Sequence, residues 1–115
     1  MFQISSLDVD WNKVKVGTKC IVLLDTKELK AGQVVYFSEY NNNSCAVKES
    51  KNDTMRCIIH SSYLDLLVEK ENDAWNFLNV GTIVTLTKDF SDNKIGDSFI
   101  LRKYDESKKY VLFLL

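Results

Sequence analysis

Apolar and polar residues alternate over short runs, and turn-forming residues separate the runs at close intervals, the pattern of short strands. Residues 19–24 read as a strand, with Cys20-Ile21-Val22-Leu23-Leu24 following the turn signal of Gly17. The polar loop 25–30, ended by Gly32, leads to a second strand over 33–40. Asn41-Asn42-Asn43-Ser44 is a hairpin turn, because asparagine tolerates positive φ and bonds its own backbone. Strands over 45–49 and 55–60 follow, joined by the turn Ser50-Lys51-Asn52-Asp53; then come a tight turn at Ser61-Ser62-Tyr63 and a short strand over 64–68. Three more strands are expected over 83–88, 98–104 and 110–115, with residues 5–16 as a connector and the charged stretch 69–77 as a linker.

The pattern occurs twice. Trp11-Asn12-Lys13-Val14-Lys15-Val16-Gly17-Thr18 returns as Trp75-Asn76-Phe77-Leu78-Asn79-Val80-Gly81-Thr82, an offset of 75 − 11 = 64. Carried without a gap to the last residue, that offset matches ten identities in 41 pairs, among them Asp25/Asp89, Gly32/Gly96, Tyr40/Tyr104 and Val47/Val111. About one in sixteen would match by chance in ordinary composition, so the chain is read as an internal duplication. Val35 and Phe37 align with Phe99 and Leu101, apolar in both copies, which assigns these four to the core side of their strands.

Five short strands, a longer first loop, a tight hairpin and a one-turn helix before the last strand resemble the SH3-like (Src homology 3) barrels, including the KOW and Tudor kinds. The resemblance covers residues 16–68 well and 80–115 in part, and is carried by strand order and the opening Val16-Gly17-Thr18. It implies an all-β fold of two tandem SH3-like small β-barrels from an internal duplication, the second copy truncated. The expected organisation is an N-terminal strand and connector (1–10), a first barrel (11–68), a linker (69–79) and a second barrel (80–115). Residues 1–4, aligned with 65–68, are a candidate fifth strand for that second barrel. Barrels of this kind host unrelated activities, so function is sought in the residues themselves.

A formal net charge of −1 rules out a whole-molecule field that would hold nucleic acid or an anionic membrane. The start of the chain has no basic and apolar leader, and no apolar run reaches the roughly 18–20 residues of a membrane span, so a cytoplasmic protein is expected. Three cysteines, an odd set, agree with that. The absence of proline and the richness in Asn, Lys, Asp and Ile resemble small proteins of AT-rich genomes, phages included.

Cys57-Ile58-Ile59-His60 has a ligand-like spacing that Cys20 and Cys45 would complete as a zinc site, but positions i and i+3 of a strand face opposite ways, so buried apolar cysteines are the better reading. His60 lacks an acidic partner that would orient it as a base for Cys57 or Ser61. Asp25 and Asp89 sit where strands become loops, a place for local hydrogen bonding. Trp11 and Trp75, at matched positions, are read as core. No catalytic residue, metal or cofactor is assigned.

The function expected is therefore non-enzymatic binding of a host or partner protein through loops and aromatic side chains, with Tyr36, Tyr40, Tyr63 and Tyr104 as candidate contacts. In style this resembles small phage-encoded modulators or inhibitors. The alternative is a KOW- or Tudor-like nucleic-acid or transcription-complex module using Arg102, Lys103, Lys108 and Lys109, which interleave with tyrosines on one hairpin. Residues 110–115 are apolar on both faces and require cover. Ile21 and Leu23, where the other copy has Thr85 and Thr87, are expected to meet Leu112 and Leu114 between the modules; otherwise residues 1–4 flank 110–115, or a second chain in a homodimer covers them.

Overall fold

A computed structural model of the protein describes residues 2–68, 78, 81–87, 94–105 and 110–114; within 102–105 and 110–114 it is the backbone that is described. The chain is all-β. Its strands are β1 (Phe2–Ile4), β2 (Lys19–Val22), β3 (Val34–Asn41), β4 (Ser44–Lys48), β5 (Cys57–His60), β6 (Leu64–Val68), β7 (Ile83–Leu86), β8 (Ser98–Asp105) and β9 (Tyr110–Leu114). They form one sheet in the order β5-β4-β3-β2-β6-β1-β7-β8-β9, in which each neighbouring pair is antiparallel. The connector resolves into single 3-10 turns at Ser6–Asp8 and Trp11–Lys13, and a third, Ser61–Tyr63, opens β6.

Period-two alternation sets the sides of the sheet. Cys20, Val22, Val35, Phe37, Cys45, Val47, Leu64, Leu66 and Val68 are buried on one face, and Phe2, Ile4, Val84, Leu86, Phe99 and Leu101 carry that face on through the other half. The placing of Val35, Phe37, Phe99 and Leu101 agrees with the alternation of the sequence. All these residues belong to one hydrophobic cluster, which Val9, Trp11, Val14, Leu29 and Leu78 join from outside the strands. The Trp11 ring stacks on Phe37 at 5.9 Å; Trp75 lies outside the described residues.

The repeat extends to individual hydrogen bonds. Gly17 N–H donates to the Phe37 carbonyl and Phe37 N–H to that of Thr18, both at 2.8 Å; Gly81 and Leu101 do the same with Leu101 and Thr82, at 2.8 and 2.9 Å. Gly32 N–H donates to the Val22 carbonyl (2.7 Å) as Gly96 N–H does to that of Leu86 (2.9 Å). In the same loops Lys30 N–H donates to Gln33 Oε1 (3.1 Å) and Lys94 N–H to Asp97 Oδ2 (2.9 Å), so different side chains close the same turn. The four glycines of the chain are these two matched pairs, all with positive φ.

Strand register corrects the gapless alignment at two places. β3 and β4 are joined by Asn42 and Asn43, whereas β8 ends at Asp105 and β9 begins at Tyr110, which leaves two more residues in the second hairpin. Leu101 therefore pairs with Phe113 as Phe37 pairs with Val47, and Ile100 with Leu114 as Tyr36 with Lys48. Val47 corresponds to Phe113, not to Val111, and the identity between those valines is a coincidence of the ungapped alignment. Both β3 and β8 carry a bulge at the same point, Ser38 and Arg102. At the other end, Cys20 pairs with Leu66 as Val84 pairs with Ile4, so Ile4 corresponds to Leu66 rather than to Val68. A shift of two leaves every side chain on its own face, which is why neither insertion disturbs the alternation.

The halves are joined by β1 and β6. These equivalent strands pair antiparallel, with the equivalent residues Ile4 and Leu66 opposite each other. On its other side β1 pairs with β7, and β6 with β2. Each first strand thus lies beside the hairpin of the opposite half. Ile21 and Leu23 do not meet Leu112 and Leu114 in this sheet, because β6, β1, β7 and β8 stand between β2 and β9. Nor is β9 flanked by residues 1–4, since β1 is occupied on both edges.

Gly17 and Gly81 adopt φ of 91° and 97°, and a Cβ there would meet no atom within 4 Å, so a substitution pays only for the backbone. Gly17→Ala and Gly81→Ala are expected to destabilise the protein alike, by about 1–2 kcal/mol each. Urea unfolding measures both, and an unchanged midpoint would contradict the left-handed turn.

Candidate functional site

The described side chains that gather polar and aromatic groups lie at one end of the first half. Asn42 and Asn43 have φ of 49° and 64°, the double left-handed turn that matches the twist of a two-residue hairpin. This turn brings the Asn43 carbonyl to the N–H of Ser61 (2.8 Å) and Asn43 Oδ1 to the Tyr40 hydroxyl, which donates to it at 3.1 Å. The tip of the β3–β4 hairpin is thereby fastened to the 3-10 turn that carries Tyr63. The Tyr63 carbonyl in turn accepts from Leu23 N–H at 2.8 Å, which fixes the turn to the end of β2.

His60 caps that turn. Its Nδ1 accepts from Ser62 N–H at 3.1 Å and lies 2.7 Å from Ser62 Oγ, so the neutral ring carries its proton on Nε2. Its ring stands 5.8 Å from that of Tyr63, tilted by 49°. The composition of Ser61-Ser62-Tyr63 announces the turn, but the capping role of His60 needs the geometry: a histidine at the end of a strand gives no such signal by itself. Tyr40, Asn43, His60, Ser62 and Tyr63 form a surface able to offer aromatic area and hydrogen bonds together.

The other expected contacts lie elsewhere. Tyr36 is opposite Lys19 and Lys48, with the Lys51 ammonium 5.7 Å from its ring centre. The bulge at Ser38 reverses the alternation between Tyr36 and Tyr40, so the latter packs against the core cluster from the hairpin end. Arg102 occupies the bulge of β8, and Lys103 and Tyr104 are opposite Leu112 and Val111. Lys108 and Lys109 lie outside the described residues, as does Asp89. Asp25 staples its loop, with Oδ1 accepting from Ala31 N–H at 2.8 Å. Trp11 is 5% exposed and belongs to the core, although its indole N–H meets no acceptor.

The cysteines do not converge with His60. Cys57 is opposite Val47 while His60 is opposite Ser44, and the odd spacing along β5 turns them to different faces. Among the described residues no three metal-ligating groups cluster, and no helix is long and apolar enough to cross a membrane. Burial drives the Cys20 thiol far above its usual range and pushes Cys45 up to about 12. Cys57 is raised to about 11, first by burial and then by its hydrogen bond with Glu28 and the carboxylates of Glu28, Glu49 and Asp53. Thiols so protonated are poor nucleophiles and poor ligands.

A raised thiol pKa stabilises the fold in full below the unfolded value, about 8.5, and this contribution is lost as pH rises through the folded values. Replacing Cys20 and Cys45 by valine, the residue at the corresponding places 84 and 111, should make stability fall less steeply between pH 9 and about 12. Urea unfolding at stepped pH tests this, and parallel curves for the two proteins would refute it. Compared with known proteins, the chain matches no family model, no curated protein and no solved structure.

Proposed function

We propose that the chain is a non-enzymatic binding protein of two SH3-like modules, and that it engages a partner protein through the end of the first module where Tyr40, Asn43, His60 and Tyr63 meet. The observation that carries the reading is the fastening of the β3–β4 hairpin to the 3-10 turn through Asn43 and Ser61, which holds two tyrosines and a histidine on a braced surface. Tyrosine in such a setting contributes large contact area with little side-chain entropy to lose. The modular part of the reading is supported by the order β6-β2-β3-β4-β5 with a 3-10 turn before β6, the arrangement that the SH3-like resemblance implies. It is supported as well by the recurrence of β2, β3 and β4 as β7, β8 and β9 with matching registers.

Chemistry on a substrate fits these residues less well. The thiols are raised, Nδ1 of His60 is engaged by Ser62, and Asp25 is engaged in its loop.

Tyr63 is 40% exposed, so its replacement leaves the core intact. Tyr63→Ala is expected to weaken capture of a protein partner from the native cell by about tenfold or more, with unfolding unchanged. Capture that survives this change undiminished would overturn the assignment of the surface. Capture that is lost to nuclease and falls steeply with salt would replace it by the nucleic-acid reading, because phosphate contacts release counterions.

A further inference from the structure

The two ends of the sheet differ in a way the repeat makes visible. β4 lies between β3 and β5, and its inner-face residues Cys45 and Val47, both 0% exposed, have Ile59 and Cys57 opposite them on β5. β9 holds the register of β4, with Val111 and Phe113 at the places of Cys45 and Val47. Among the described residues, however, β9 has one neighbouring strand, β8, and nothing stands in the place of β5.

The half without that wall has the more apolar strand. Tyr110-Val111-Leu112-Phe113-Leu114 carries no charge and no proline, two of the devices by which an edge avoids pairing. The opposite edge, β5, is preceded by Arg56, which is ion-paired to Glu39 at 3.2 Å, and ends on His60. One row of the outer face leading to β9 is apolar, beside the polar pair Thr85 and Ser98. Ile83 is opposite Ile100, and Ile100 opposite Leu114, in a single row; Ile83 is 54% exposed and Ile100 37%.

We propose that β9 pairs antiparallel with the β9 of a second copy of this chain about a twofold axis, each copy placing a strand where, among the described residues, the second half of the other has none. The occupant is a second copy because the edge is self-complementary. Two uncharged strands of the same sequence, paired about Leu112, satisfy one another along their whole length, with Leu114 of each copy opposite Tyr110 of the other. A twofold contact closes on itself, whereas β5 placed on β9 would continue from chain to chain. The fold already joins equivalent strands in this manner, since β1 and β6 pair antiparallel about Ile4 and Leu66. The inference stands apart from the protein-binding surface, which lies in the first half.

Analytical ultracentrifugation decides it. The wild-type chain should sediment at twice 13.3 kDa, with the amides of β9 slow to exchange. Leu114→Lys, at the seam opposite Tyr110 of the second copy, should raise the dimer dissociation constant by about tenfold or more, whereas Ile83→Lys, an exposed position two strands from the seam, should leave it unchanged. Leu112→Lys should abolish the dimer, and where that variant fails to fold, Leu114→Lys and the wild-type mass decide. Ile58→Lys, on the exposed side of β5, should leave the dimer unchanged. A wild-type chain that stays at 13.3 kDa at millimolar concentration overturns the proposal, as does an open-ended polymer or a dimer sensitive to Ile58→Lys alone.

Discussion

The pairing of β1 with β6 is the constraint on which the sheet depends. Three residues, Phe2, Gln3 and Ile4, bond to Val68, Leu67 and Leu66 on one side and to Leu86, Thr85 and Val84 on the other. Without them β6 and β7 would each expose an edge in the middle of the molecule, with Phe2 and Ile4 removed from the core. A polar tie secures the same junction. Asp65 accepts from the Gln3 side-chain amide at 2.7 Å and from Ser6 N–H at 3.1 Å, so the chain leaving β1 is held to β6 before it turns toward β2.

This junction exchanges strands between the repeats. β1 precedes β2 in the chain but lies beside β7, and β6 precedes β7 but lies beside β2. The pairs made at this junction are distant in sequence: Ile4 lies opposite Val84 and Leu66, and Cys20 opposite Leu66, separations of 84 − 4 = 80, 66 − 4 = 62 and 66 − 20 = 46 residues. Contacts that distant cost loop-closure entropy before they stabilise anything, so the hairpins β2–β3–β4 and β7–β8–β9, whose contacts are local, are the natural first structures and the central pair the late one.

Much of this was legible in the sequence, and the part that was not has a physical reason. Local signals carried the hairpin at Asn42-Asn43, the glycine turns, the alternation that buries Val35, Phe37, Phe99 and Leu101, and the tight turn at Tyr63. The partner of β1 was not written locally, because a three-residue strand has no period to read and strand neighbours are chosen by the whole sheet. The two-residue insertions escaped notice for a subtler reason. An even shift preserves the inward and outward faces, so the ungapped alignment kept its apolar matches while its register moved. For the candidate site, the tyrosines could be named, but the bulge at Ser38 that separates Tyr36 from Tyr40 has no compositional mark. The capping of the turn by His60 replaces one of the usual Ser, Thr, Asp or Asn caps.

The two hairpins also show how one fold tolerates different edges. In the first half the β3–β4 tip is short because it must reach the turn at Ser61, where the Asn43 carbonyl accepts a hydrogen bond at 2.8 Å. That contact requires β5 and the turn that follows it, and the second half has no counterpart of either among the described residues. Released from that requirement, the second hairpin has room for two further residues. The longer tip, and a β9 with one neighbouring strand among the described residues, are therefore two consequences of one difference between the halves. The same difference leaves the polar-aromatic surface in the first half and the apolar edge in the second, so two halves of matching register carry unlike surfaces at opposite ends of one sheet.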